Sequence, residues 1–214
     1  MSNGGILLQM LPRPPDAGGG VADYARQLAR RLRELHGITS TFVSAASTSS
    51  SETADGFKLL SPLRAISDEI ASPTPLLLHY VNYGYDSHGL PLWLPSVLRR
   101  LQKIAGRRLV TVFHELYAAG SCRQSAFWLG PVQKHIARAA ARLSAIAIVS
   151  NETQRAQLER LAPGIRTLVQ PVTSTFGEPS LSLTELAERD PHRPNRRRDL
   201  LRAVPRLGGL CPAG

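Results

Sequence analysis

Apolar runs of strand length alternate along this chain with longer segments of helical periodicity. The runs occupy residues 6–11, 41–43, 57–60, 76–81, 109–114, 145–150 and 167–169. Strands that are apolar on both faces and alternate with helices are typical of a parallel sheet covered by helices on both sides. The pattern therefore predicts a doubly wound, Rossmann-like α/β domain.

The helical segments are recognised from apolar side chains spaced three and four residues apart. The predicted buried stripes include Val21, Tyr24, Leu28, Leu32 and Leu35 in a first helix, and Leu92, Trp93, Leu98 and Leu101 in a second. Gly37 is predicted to end the first helix, and Asn151 to cap one that runs to about residue 161. Residues 44–56 and 82–91 are predicted to be loops.

The chain has 214 residues and a net charge of +10. Seven arginines and two aspartates give residues 189–214 a charge of +5, so the other 188 residues carry the remaining +5. Because the body of the chain is only mildly basic, the high isoelectric point is weak support for a nucleic-acid partner, and we expect no specific nucleic acid. The tail also lacks aromatic side chains that could stack on bases.

The cysteines and the N-terminus indicate a cytoplasmic location. Cys122 and Cys211 are too few for a disulfide framework, and their spacing fits no zinc site. We expect no metal and no cofactor. The first residues lack the basic start of a secretory signal. The cations near the second helix (Arg99, Arg100, Lys103, Arg107 and Arg108) are either a solvated face or a peripheral contact with the inner face of a membrane.

A glycine-rich loop follows the first predicted strand. Gly18, Gly19 and Gly20 allow backbone amides at a helix N-terminus to approach an anion, although the same glycines suit a tight turn with positive φ. A P-loop is excluded because no Gly-Lys-Ser/Thr follows. A dinucleotide site is disfavoured because Asp23 stands where a third glycine is needed.

Two histidines lie where predicted strands end, which is the edge that binds ligands in doubly wound sheets. His79 is followed by Tyr83 and Tyr85, a polar and aromatic set that suits carbohydrate. His114 could donate to a hydroxyl or polarise a leaving group, with Glu115 orienting it. For each histidine, a purely structural role remains an open alternative.

Four segments, in order, resemble retaining GT-B glycosyltransferases of the large group called family 4. They are GGGVADY at 18–24, HYVNYGY at 79–85, VFHELY at 112–117 and IVSN at 148–151. The resemblance covers about residues 5–178 and implies the N-terminal, acceptor-binding domain of a two-domain enzyme. It implies a nucleotide-sugar donor and a sugar or lipid acceptor as partners.

The resemblance also implies roles for individual residues. His114 matches the histidine that reaches the transferred sugar, and is the expected catalytic residue. Gly18, Gly19 and Gly20 match the loop that lies against phosphates or acceptor. His79, Tyr83, Tyr85 and Glu115 are expected acceptor contacts.

The chain departs from that family after about residue 178. The family holds its donor with a Glu-x7-Glu element and a Lys/Arg pair in a C-terminal domain, and no two glutamates here lie eight residues apart. We therefore expect residues 179–214 to be a linker and an irregular basic tail, disordered or arising from a frameshift in a truncated gene. The chain alone is then expected to be nearly inactive.

Two other functions remain open. The chain could be a non-enzymatic sugar- or phosphate-binding module that acts with a separate C-terminal polypeptide, which would supply the donor domain in trans. Less favoured is a basic nucleic-acid-binding protein that works through residues 189–214.

Overall fold

The computed structural model describes residues 5–46, 51–61, 74–105, 108–117 and 125–171. All of them belong to one compact unit, Met1–Thr175. The predicted domain end at residue 178, the basic tail and both cysteines lie outside the described residues.

The described residues form an eight-stranded, mostly parallel sheet. Its strands are β1 (Ile6–Leu11), β2 (Thr39–Ser44), β3 (Ser51–Glu52), β4 (Lys58–Leu60), β5 (Leu76–Tyr80), β6 (Leu109–Phe113), β7 (Ile146–Val149) and β8 (Thr167–Val169). They are ordered β3-β4-β2-β1-β5-β6-β7-β8, and only the pairing of β3 with β4 is antiparallel. The predicted Rossmann-like, doubly wound fold is confirmed.

Five α-helices connect or follow the strands in this part of the chain. They are α1 (Gly20–His36), α2 (Asn82–Tyr85), α3 (Leu94–Ala105), α4 (Ser125–Leu143) and α5 (Glu152–Leu161). Gly37 ends α1 in the left-handed conformation, at φ 64°; its amide donates to the Arg33 carbonyl, and the Ile38 amide donates to the Leu32 carbonyl. The Asn151 side chain accepts from the Gln154 amide at 2.9 Å, so both predicted caps are confirmed.

The chain changes its winding direction between β1 and β5. From β1 the chain crosses through α1 to β2 on one side, whereas β5 leads through α3 to β6 on the other. In such sheets the loops diverge at this point and leave a crevice beyond the carboxyl ends of the strands. This crevice is where the glycine loop and both histidines are found.

The two faces of the sheet bury different helices. On one face, Ala25 and Ala29 of α1 pack against Leu11, Phe42 and Phe57. On the other, buried side chains of α3, α4 and α5 pack on the central strands, and they include Leu98, Leu101, Ile136, Ala140 and Leu158. The alanines of α1 let that helix approach the sheet closely.

Some residues of the predicted stripes are not buried. Leu35, on the last turn of α1, is 68% exposed, because the buried face of that helix consists of Ala22, Ala25 and Ala29. Leu92, which precedes α3, is 64% exposed. Trp93 was expected in the core but is 37% exposed, with its ring edge against Tyr85 at 6.0 Å. The Trp128 side chain lies outside the described part.

Two short elements replace predicted loops. The β3 strand pairs with β4 through a turn at Gly56, where Thr53 Oγ1 accepts from the Phe57 amide. An Asp-Gly pair between two strand-length segments is typical of a β-hairpin, and the prediction of a loop over residues 44–56 did not take the Asp55-Gly56 pair into account. The other element is α2, whose four residues are too short for helical periodicity to reveal.

Three arginines of α1 contact the β3–β4 hairpin. Arg26 Nε and Arg30 Nη2 donate to the two Asp55 oxygens at 2.8 and 2.7 Å, and Arg33 lies over the Phe57 ring. These donors lower the pKa of the Asp55 carboxyl, and Asp55 in turn raises the pKa of Arg26. These contacts hold α1 in one position on the sheet. They therefore also determine the position of its first turn.

We expect Gly19→Ala to destabilise the domain and Gly20→Ala not to. Gly19, at φ 106° and ψ 152°, adopts a conformation that is almost restricted to glycine, and a side chain there costs about 1–3 kcal/mol. Gly20 is helical, and a methyl group added to it would meet open space, so its substitution should stabilise by up to about 1 kcal/mol. Urea unfolding measures both, and equal effects would contradict the conformational argument.

Candidate functional site

The glycine-rich end of the β1–α1 loop, Gly18 to Gly20, carries no side chains. Gly18 and Gly19 both have positive φ, at 73° and 106°, and Gly18, Gly19 and Gly20 are all exposed. Gly19 is the N-cap of α1 and has no side chain to cover the amides of the first turn. Those amides are therefore presented for hydrogen bonding at the positive end of the helix dipole.

A chain of hydrogen bonds crosses four adjacent strands next to this loop. Gln9 Nε2 on β1 donates to Ser40 Oγ on β2 at 2.7 Å. Gln9 Oε1 lies 2.9 Å from His79 Nε2 on β5, and His79 Nδ1 lies 3.2 Å from His114 Nε2, just after β6. Three of these side chains are fully buried, and His114, the fourth, is half-buried. The chain leads from the sheet interior to the crevice.

The direction of these hydrogen bonds fixes the histidine tautomers. Because Gln9 Nε2 donates to Ser40, its Oε1 accepts from Nε2–H of His79. Neutral His79 then accepts at Nδ1 from Nε2–H of His114. Neutral His114 is left with an unprotonated Nδ1, which has no hydrogen-bond partner among the described residues. The network thus orients a hydrogen-bond acceptor at the edge of the sheet.

Burial keeps both imidazoles neutral. It lowers the pKa of His79 to about 3, with a further contribution from the charge that His114 would carry. Burial also lowers the pKa of His114 to about 4. At neutral pH neither ring is an acid, and His114 acts as a neutral acceptor or weak base.

The ring of Tyr24, on α1, packs against both histidines. Its ring meets His114 edge-on at 5.4 Å and His79 at 5.9 Å, while the two imidazoles stack at 5.5 Å. Tyr24 is one helical turn after Gly20, on the same side of α1. The aromatic contact therefore connects the glycine loop to the histidines, and the structure brings Gly18–Gly20, His79 and His114 together.

The β5–α2 segment packs under the same crevice. The Tyr85 hydroxyl lies 3.1 Å from the carbonyls of both Met10 and His79, and the residue is buried. A Cβ on Gly84 would lie 2.9 Å from the Pro12 ring, so glycine is needed for the two loops to touch. Tyr85 thus supports the site from below, with its hydroxyl already used, whereas Tyr83 is 43% exposed.

The backbone after β6 is held by the first turn of α5. Gln154 Nε2 donates to the His114 carbonyl at 3.3 Å, and Gln154 Oε1 accepts from the Ser150 hydroxyl and amide. Glu115 is exposed beside His114, and no side-chain contact ties it to the imidazole in the described part of the chain. His114 is therefore oriented by His79 and Gln154, and the expected orienting role of Glu115 is not what the geometry provides.

Several residues that build the site were not singled out from the sequence. They are Gln9, Tyr24, Ser40 and Gln154. A signal existed for Gln9, the single polar side chain in the otherwise apolar first strand. Helical spacing places Tyr24 in the buried stripe of α1, because spacing alone cannot distinguish a ring in the core from one at its edge.

Two further kinds of feature are absent from the described residues. No group of three His, Cys, Asp or Glu side chains that could hold a metal ion occurs within the described ranges. None of the described helices combines the length and the apolar character needed to cross a bilayer.

Comparison with known proteins gives no family assignment. A scan against protein-family models finds no match, and a search of curated proteins finds no similar sequence.

We expect folding stability to fall as the pH drops from 7 to 5. An unfolded histidine binds a proton near pH 6.5, whereas folded His79 does so only near pH 3, so the unfolded state binds more protons throughout that window. The loss attributable to His79 is about 2 kcal/mol at pH 5. Denaturant unfolding at several pH values measures it.

Two histidine variants show whether the loss of stability at low pH comes from His79 or from other groups. The loss should shrink in His79→Gln and persist in His36→Gln, because His36 is exposed on the last turn of α1. Stability that is flat between pH 7 and 5 in the unsubstituted chain would contradict the buried, neutral pair.

Proposed function

We propose that this domain is the acceptor-binding, N-terminal domain of a retaining GT-B glycosyltransferase. The observation that carries the proposal is the neutral His114, held with Nδ1 as an acceptor beside an open glycine loop at the crevice of the sheet. The four segments that resemble the family all contribute to this one edge. The nucleotide-sugar donor is then held by a second domain, in the same chain or in trans, across the crevice.

A neutral imidazole suits contact with a sugar hydroxyl. His114 Nδ1 can accept a hydrogen bond from such a hydroxyl without the cost of desolvating a charge. The chain of hydrogen bonds back to Ser40 holds the ring in one orientation before the ligand arrives, which reduces the ordering cost of binding. In the proposal His114 contacts the transferred sugar and orients it at the acceptor.

The glycine loop suits the anionic part of the ligands. Amides at the start of α1 point toward the crevice edge, and the helix dipole adds a partial positive charge there. A phosphate of the donor or acceptor could approach closely because none of the three glycines carries a side chain. This arrangement supports the assignment of Gly18, Gly19 and Gly20 to substrate binding.

The remaining assigned residues differ in their access to ligand. Tyr83 and Glu115 are exposed and can offer a ring face and a carboxylate to an acceptor. His79 and Tyr85 are buried, so in the proposal they act on the acceptor only by positioning His114 and the backbone beneath it.

Titration of the ¹⁵N-labelled chain with monosaccharides and sugar phosphates tests the proposal. We expect ligand-dependent shifts of the Gly18–Gly20 amides and of the His114 ring, and about tenfold weaker binding in His114→Ala. His36→Ala is the matched control and should bind normally. If no saccharide or sugar phosphate perturbs these signals, or if His114→Ala binds equally well, the proposal is wrong.

A panel of UDP- and GDP-sugars tests the proposal that a second domain holds the donor. Because donor recognition is assigned to the second domain, we expect the chain alone to bind no nucleotide sugar tightly. We also expect it to transfer sugar from these donors only slowly. Tight donor binding, or a product with inverted anomeric configuration, would contradict the assignment.

A further inference from the structure

Two neighbouring helices on the face of the sheet opposite α1 carry cations and no acidic residue. The cations are Arg99, Arg100 and Lys103 in α3, and Lys134, Arg138 and Arg142 in α4. Between residues 87 and 151 the sequence contains one acidic residue, Glu115, which follows β6. The positive charge of the domain is thus concentrated on the α3–α4 surface, although residues 1–188 together carry a net charge of only +5.

An open cleft of about 160 Å³ lies on this surface between the two helices. It is lined by Arg99 of α3 and by His135, Arg138, Ala139, Arg142 and Leu143 of α4. All four of its basic side chains are exposed, while Ala139 and Leu143 form an apolar floor. Three guanidinium groups therefore surround a concave site without any carboxylate in its lining.

Hydrogen bonds hold the cleft in shape before any ligand binds. Arg138 Nε donates to the Leu161 carbonyl at 2.8 Å, which anchors the side chain and leaves its two terminal nitrogens for other partners. Gln102 Nε2 of α3 donates to the Leu143 carbonyl at 2.6 Å, which ties the two helices together. A guanidinium that is already anchored loses less conformational freedom when it binds an anion.

The same hydrogen bonds remove groups that would repel an anion. The C-terminus of α4 carries a partial negative charge of about one half, from carbonyls without helical partners. Gln102 covers one of those carbonyls, and three full positive charges outweigh the rest.

We propose that the α3–α4 cleft binds a phosphoryl anion. Arginine is suited to phosphate because its planar donors can bind two oxygens at once, and the apolar floor accommodates the carbon attached to a phosphate ester. The site is separate from the crevice, because Gln9, His79 and His114 lie with α1 on the other face. It therefore goes beyond the proposed acceptor site, and either can fail without the other.

Binding of two probes by the full chain tests the cleft. Inorganic phosphate is titrated by calorimetry, and sedimentation measures binding to vesicles of phosphatidylglycerol in phosphatidylcholine against phosphatidylcholine alone. Phosphate binding without vesicle binding identifies a soluble phosphorylated ligand. Binding to the anionic vesicles identifies a lipid headgroup, and either result supports the proposal.

The decisive variants change the same number of charges. Arg99→Gln with Arg142→Gln removes two cleft cations and spares Arg138, whose anchoring contact is structural. Arg31→Gln with Lys58→Gln removes two exposed cations from α1 and β4. We expect about tenfold weaker binding in the first pair and little change in the second. Equal weakening in both pairs, or no binding of either probe, would overturn the proposal.

Discussion

The site depends on one run of buried hydrogen bonds that joins Ser40, Gln9, His79 and His114 across four parallel strands. Buried polar groups are costly unless each has a partner, and here each satisfies the next. The run ends at a ring that is half-buried and faces the crevice. The buried hydrogen bonds therefore hold the His114 ring in one orientation, with one nitrogen free to accept a hydrogen bond. Burial also lowers the pKa of both imidazoles, so both rings are neutral.

Topology explains why the other parts of the site meet this acceptor. The winding reverses between β1 and β5, so the glycine loop after β1 and the segment after β5 leave the sheet side by side. Tyr24 lies one turn into α1 and contacts both imidazoles, while Gly84 allows the second loop to touch Pro12. Arginines of α1 hold the helix against the β3–β4 turn, so the loop, the ring and the histidines share a rigid frame.

Periodicity predicted the sheet and the long helices, and residue type predicted both helix caps, because those features depend on local patterns. It also placed Gly18–Gly20, His79 and His114 at strand ends, which a parallel sheet gathers at one edge. It did not predict the partners of His79, since contacts between Gln9 and a residue seventy positions later depend on strand order and register. For the same reason Trp93 and Leu92 were placed in the core, and the concentration of cations on α3 and α4 was not recognised as a cleft.

The chemistry of the site depends on the hydrogen-bond network holding His114 as a neutral imidazole with an unprotonated Nδ1. Long-range ¹H–¹⁵N correlation spectra of the histidine side chains at pH 7 report the charge and the tautomer of each ring. We expect His79 and His114 to be both neutral and both protonated at Nε2. A charged ring in either residue, or a proton on Nδ1 of His114, would contradict it.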